Sequence, residues 1–168
     1  MAALVIEDGT LVAGANSYVT LVEAQTYASD RGYVIPVDPL EVIKHLLRAK
    51  DYLESFRSSY KGSKVSGTQS LQWPRLDVSI DNFDVLSTVI PQDLKDAQCQ
   101  IVVELETADP LPSTNGYSIK RERIDVVETE YAVGYRDTTE PPLPRMPKVD
   151  RLLASLIRGG FAIRSIRI

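Results

Sequence analysis

One cysteine, one histidine and one tryptophan in 168 residues leave little room for most site chemistries. With Cys99 alone, no internal disulfide can form, which suits synthesis in a reducing cytosol. His45 would have to serve any Ser-His-Asp or Cys-His arrangement, yet it borders the apolar stripe of a helix and reads as a half-buried packing residue. One histidine and one cysteine do not make a zinc site. Gly62-Ser63-Lys64 lacks the glycine pattern of a phosphate loop and opens no helix. Asp77, Asp81 and Asp84 lack the central glycine and closing glutamate of a calcium loop. Asp93/Asp96 and Glu104/Glu106 read as solvated helix faces rather than acid/base couples. No apolar run approaches the roughly 18 residues that span a bilayer. The opening Met1–Asp8 stretch has no basic region and does not read as a signal peptide. The expectation is a protein that is not an enzyme, with no catalytic residues, no cofactor, no metal and no membrane partner.

An apolar share of 43% is enough for one domain with a real core. Charge is distributed unevenly. Residues 141–168 hold six bases and one acid, net +5, whereas the other 140 residues hold 13 bases and 22 acids, net −9. An acidic body with a basic tail predicts that the tail docks onto something acidic: nucleic acid, another protein, or the body of a neighbouring copy.

The order of elements follows from periodicity and caps. Leu4-Val5-Ile6 and Leu11-Val12 around Asp8-Gly9 predict a short hairpin. Thr20-Leu21-Val22-Glu23 is a capping box, so a helix should run to about Arg31 and stop at Gly32. Asp38-Pro39 opens a second helix, with Val42, Leu46, Ala49, Leu53 and Phe56 on one face. Residues 58–90 read as irregular. A third helix starts at Pro91 and buries Leu94, Ala97, Ile101, Val102 and Leu105. Cys99 and Val103 lie on its other side, which predicts a second cover from a neighbour.

Residues 117–135 have the look of a charged β-ribbon. Pro141-Pro142-Leu143-Pro144 is a stiff connector, followed by a helix from Pro147 that Gly159-Gly160 should stop. Phe161–Ile168 closes the sequence with an apolar/basic, strand-like segment. No internal repeat is present. The fold class expected is mainly α with a β element (α+β), a small helical bundle with a β-ribbon and an extended C-terminal tail. Residues 1–140 form the body and 141–168 the connector, helix and tail, all within a single domain.

One patch points toward nucleic acid: Arg57, Lys61 and Lys64 surround Tyr60, a basic-aromatic grouping of the kind that contacts single strands. The net charge of −4 and the absence of a known reader motif weigh against it. Trp73, before Pro74, reads as a core or interface plug, and Arg75 as a partner for a carboxylate or carbonyl.

Two segments carry a resemblance: Val5-Ile6-Glu7-Asp8-Gly9-Thr10 with Ala15-Asn16-Ser17-Tyr18-Val19-Thr20, and Leu71-Gln72-Trp73-Pro74-Arg75. With Glu23-Ala24, Tyr27, Ile90-Pro91 and Ala97-Gln98-Cys99, they make the chain resemble the head–tail connector (adaptor) proteins of tailed bacteriophages. That family also carries the description of a DnaT-like single-stranded-DNA-binding protein. The likeness recurs in Val126–Ala132 and Leu152–Ile168.

It implies a structural virion protein, made in the host cytoplasm and placed at the neck. There it forms a ring of about twelve copies under the portal, extending the DNA channel. Its implied partners are the portal, neighbouring copies, a downstream neck or tail protein, and duplex DNA passing without specific binding. The implied portal-binding residues are Phe161, Ile163, Arg164, Ile166, Arg167 and Ile168. Trp73, Arg75, Cys99 and Val103 are the implied inter-subunit or structural positions. The alternative reading is a single-stranded-DNA-binding or replication accessory protein.

Overall fold

The structure is a computed structural model that describes residues 3–107, 121–124, 127–130 and 146–159, the 121–130 strands as backbone only. The fold is α+β, as the sequence pattern predicts. Two compact units divide the chain: residues 1–110 with 145–168, and residues 111–144.

In the first unit, the capping box forms at Thr20. Its hydroxyl accepts from the Glu23 amide at 3.1 Å, and the Glu23 carboxylate accepts from the Thr20 amide at 2.6 Å. These bonds satisfy amides that have no partner inside a helix, so α1 (Leu21–Asp30) starts there. It ends before Gly32, whose φ of +67° suits glycine. Asp38 caps α2 (Pro39–Ser55) through the Leu40 amide at 3.0 Å. Four residues of the predicted α2 stripe, Val42, Leu46, Ala49 and Leu53, are fully buried in the core, while the fifth, Phe56, sits at the C-cap and is half-buried. Next comes α3 (Gln92–Glu104), which packs against α1, α2 and the short α4 (Pro147–Leu153).

The interval 58–90, expected to be irregular, holds two small antiparallel sheets. In one, β1 (Ser63–Lys64) pairs with β2 (Arg75–Leu76). In the other, β3 (Val78–Ile80) pairs with β4 (Phe83–Val85). The turn between β3 and β4 is Asp81-Asn82, with φ of +51° and +67°, the left-handed pair that a two-residue hairpin turn requires. Asp77 and Asp81, at φ of +56° and +51°, are therefore turn chemistry, whereas Asp84 lies within β4.

Two further expectations are corrected. The hairpin expected around Asp8-Gly9 is replaced by a loop wrapped on the buried Glu7 carboxylate, whose Oε1 accepts the amides of Gly9 (2.9 Å) and Leu11 (3.0 Å). Ile6 then makes a parallel bridge to Ser17 instead of pairing with the Leu11-Val12 stretch. The last helix, expected to reach Gly159, stops at Leu153, because Ile157 leaves it to bridge antiparallel to Tyr60.

The described part of the second unit is a hairpin. Here β5 (Arg121–Ile124) pairs with β6 (Val127–Glu130), in a register that sets Arg121 opposite Glu130 and Arg123 opposite Glu128. It falls within the ribbon expected at 117–135.

Candidate interaction surfaces

The two distinctive sequence segments meet inside the first unit. Asn16 pins the incoming strand: its Oδ1 accepts the Val5 amide at 2.8 Å, and its Nδ2 donates to Ala3 O at 2.9 Å. Ser17 is fully buried, and its hydroxyl donates to Val19 O and accepts from Gln98 Nε2. Gln98, on α3, also donates to Leu46 O and accepts the Tyr18 amide. Every polar atom of that buried amide is thus engaged, which is what allows a glutamine at 0% exposure.

Tyr18 carries the connection onward. Its hydroxyl donates to Glu54 Oε1 at 2.7 Å and accepts from the Trp73 amide at 3.3 Å. The same Glu54 oxygen accepts the Gln72 amide at 3.1 Å. Burial, with the Glu54 charge beside it, pushes the Tyr18 phenol well above its ordinary value.

Trp73 is fully buried within its own chain, edge-on to Tyr60 with ring centroids 5.8 Å apart. The Trp73-Pro74 peptide is cis. Arg75, 6% exposed, is held by carbonyls: Nε donates to Lys61 O at 2.7 Å, Nη2 to Gly62 O at 3.0 Å and Nη1 to Gln72 O at 3.3 Å. Desolvation, and then the nearby Arg158, hold its pKa below the usual guanidinium value.

The basic-aromatic patch is reorganised. Tyr60 is buried at 1% exposure, its hydroxyl donating to Leu53 O at 2.9 Å, so no ring is offered to a base. Lys61 Nζ donates to Ser79 O and Lys64 Nζ to Gln69 O, while Arg57 is exposed. Sequence distance concealed one member: Arg158 donates to Gly62 O at 2.8 Å, the carbonyl that Arg75 also uses. Only the Tyr60–Ile157 bridge, which no local pattern signals, brings residue 158 there.

Of the two α3 residues expected on its far side, Cys99 is buried within the chain's own core and Val103 is half-buried. Cys99 underlies a groove of about 330 Å³ between α1 and α3, walled by Val22, Glu23, Arg31 and Lys95. Burial pushes its thiol up to about 12, so it stays neutral and unreactive near neutral pH. His45 is half-buried, with Nδ1 3.2 Å from Glu106 Oε1 but not aligned for a hydrogen bond. Among the described residues, no group of three His, Cys, Asp or Glu is placed to hold a metal ion. Phe161, Ile163, Arg164, Ile166, Arg167 and Ile168 lie outside the described residues.

Several large apolar side chains stand exposed on the described surface. Phe83 is 78% exposed and Leu86 is 69% exposed on or beside β4, with Val34 and Val37 bare on the α1–α2 connection. A family model described as "Putative DnaT-like ssDNA binding protein" matches residues 2–168. The chain belongs to that family. The match takes in both segments joined through Tyr18 and Glu54. Neither the curated proteins nor the solved structures contain a significant match to the chain.

Proposed function

We propose that this protein is a structural head–tail adaptor of a tailed phage, acting through assembly rather than catalysis. The observation that carries the reading is the pairing of a polar-locked core with bare apolar residues at Phe83, Leu86, Val34 and Val37. Phe83 with Leu86, and Val34 with Val37, are where a partner subunit would cover apolar surface. The resemblance of the 5–20 and 71–75 segments to phage connectors supplies the kind of assembly: a ring under the portal, with the 161–168 segment as its portal contact. Twelve such contacts, each weak, would gain strongly from being linked in one ring. The acidic balance of the body suits a channel along which DNA slides without sticking.

The test is the copy number of this protein relative to the portal in purified virions, by quantitative mass spectrometry. A ratio near one to one is expected. Absence from virions, with presence in infected cells, overturns the reading.

A second reading, single-stranded-DNA binding, is favoured by the family description and by the grouping of Arg158 with Lys61 and Lys64 near the exposed Arg57. It predicts binding that weakens steeply with salt and falls on removal of the Arg57, Lys61 and Lys64 charges. The burial of Tyr60 deprives it of the stacking platform that such binding uses.

A further inference from the structure

We propose that the outer edge of β4 is a strand-addition site for the 161–168 segment of a second copy of this chain. The proposal rests on the assembly reading above and gives that segment a partner when no portal is present.

The edge is defined by the register. Ile80 and Phe83 flank a two-residue turn and form the hydrogen-bonded pair, so the next pair, Ser79 and Asp84, is the non-bonded one. The backbone groups of Ser79 and Asp84 therefore point away from each other. On the β3 side this is visible, because Ser79 O accepts from Lys61 Nζ at 3.2 Å, so one outward carbonyl of that edge is already taken by the protein's own side chain. On the β4 side the amide and carbonyl of Asp84 and the amide of Leu86 face outward, with no hydrogen-bond partner among the described residues. Phe83 and Leu86 stand exposed beside them. An open edge with apolar side chains is the arrangement that an added strand satisfies.

Charge selects the occupant. Residues 76–90 carry Asp77, Asp81 and Asp84 and no base. Two such hairpins placed edge to edge would bring like charges together, which disfavours self-pairing of β4. Within this sequence the complementary segment is 161–168, with Arg164 and Arg167 among Phe161, Ile163, Ile166 and Ile168 and no acid. Main-chain bonds would give affinity, the apolar residues would cover Phe83 and Leu86, and the arginines would meet the aspartates.

The experiment uses the full-length chain labelled with ¹⁵N, following hydrogen exchange at the Asp84 and Leu86 amides. Exchange there is expected to slow with rising chain concentration. In dilute protein it should slow by about tenfold or more on adding a synthetic peptide of residues 160–168. Asp84→Lys should abolish both effects while α3 amides keep their protection, which shows that the variant is folded. Exchange unaffected by concentration and peptide overturns the proposal. Protection that appears only on adding purified portal also overturns it, while leaving the adaptor reading intact. If the protein proves absent from virions but the peptide still protects these amides, the adaptor reading fails and the self-association site stands.

Discussion

The hydroxyl of Tyr18 lies 2.7 Å from Glu54 Oε1, and this bond links the entry strand before α1 to the last turns of α2. Through the same carboxylate oxygen and the same hydroxyl, the amides of Gln72 and Trp73 are drawn in as well. Tyr18→Phe removes the hydroxyl and leaves the Trp73 amide without its acceptor. A loss of about 1–3 kcal/mol is expected, the usual cost of unsatisfied buried groups. The check is the shift in urea midpoint at unchanged slope.

Alkaline pH should weaken the fold through the same network. Burial raises the phenols of Tyr18 and Tyr60 well above 10.0, takes Tyr52 to about 12 and moves the Cys99 thiol from 9.0 to about 12. In the unfolded chain these groups ionise at their ordinary values. Their neutral forms thus stabilise the fold fully below pH 9.0, and that contribution is lost as pH rises from 9.0 toward and through the raised values. Urea midpoints at about pH 8 and about pH 10.5 should differ, and the difference should shrink in Tyr18→Phe relative to the parent.

Acid should act through the α1 cap. Burial raises the Glu23 carboxyl, but the Thr20 amide and hydroxyl together with Lys95 outweigh it, and the net shift is below the ordinary 4.5. The contribution is therefore complete above 4.5 and is lost as pH falls through the lowered value. Glu23→Gln should remove this acid dependence, and Thr20→Ala should cost about 1 kcal/mol at neutral pH. Thermal melts of the variants across that range measure both.

Gly62 offers a sharper steric test. Its φ is +66°, and a Cβ there would sit 2.0 Å from Leu76 O, the backbone of the paired β2 strand. Gly62→Ala should destabilise by well over about 1 kcal/mol, because both the strain and the clash fall on backbone. Gly14→Ala, at φ +72° with open space around it, should cost only the conformational part. Comparing the two by urea denaturation isolates the close approach.

Helices were the legible part of the fold. The Thr20 box, the Asp38-Pro39 cap and the Val42–Leu53 stripe are local patterns, and each fixes its element without knowledge of the rest. The small sheets were not legible, since two- and three-residue strands carry too little alternation to stand out from a loop. Tyr60 shows the same limit at the candidate surface. Its basic neighbours suggest an exposed ring, but its burial is decided by Trp73, by Leu53 on the preceding helix and by the Ile157 bridge, the last nearly a hundred residues away in sequence. Arg158 joins Arg75 for the same reason.

The Tyr60–Ile157 bridge and the packing of α4 on α3 also set an order of events during synthesis. Met146, Val149, Leu153, Leu156 and Ile157 are buried in a core whose other described members all precede residue 106. Residues 111–144 are translated between those walls and the helix that seals them. A nascent chain halted within that interval therefore holds an open core on the ribosome, and closure waits until residue 157 has cleared the exit tunnel.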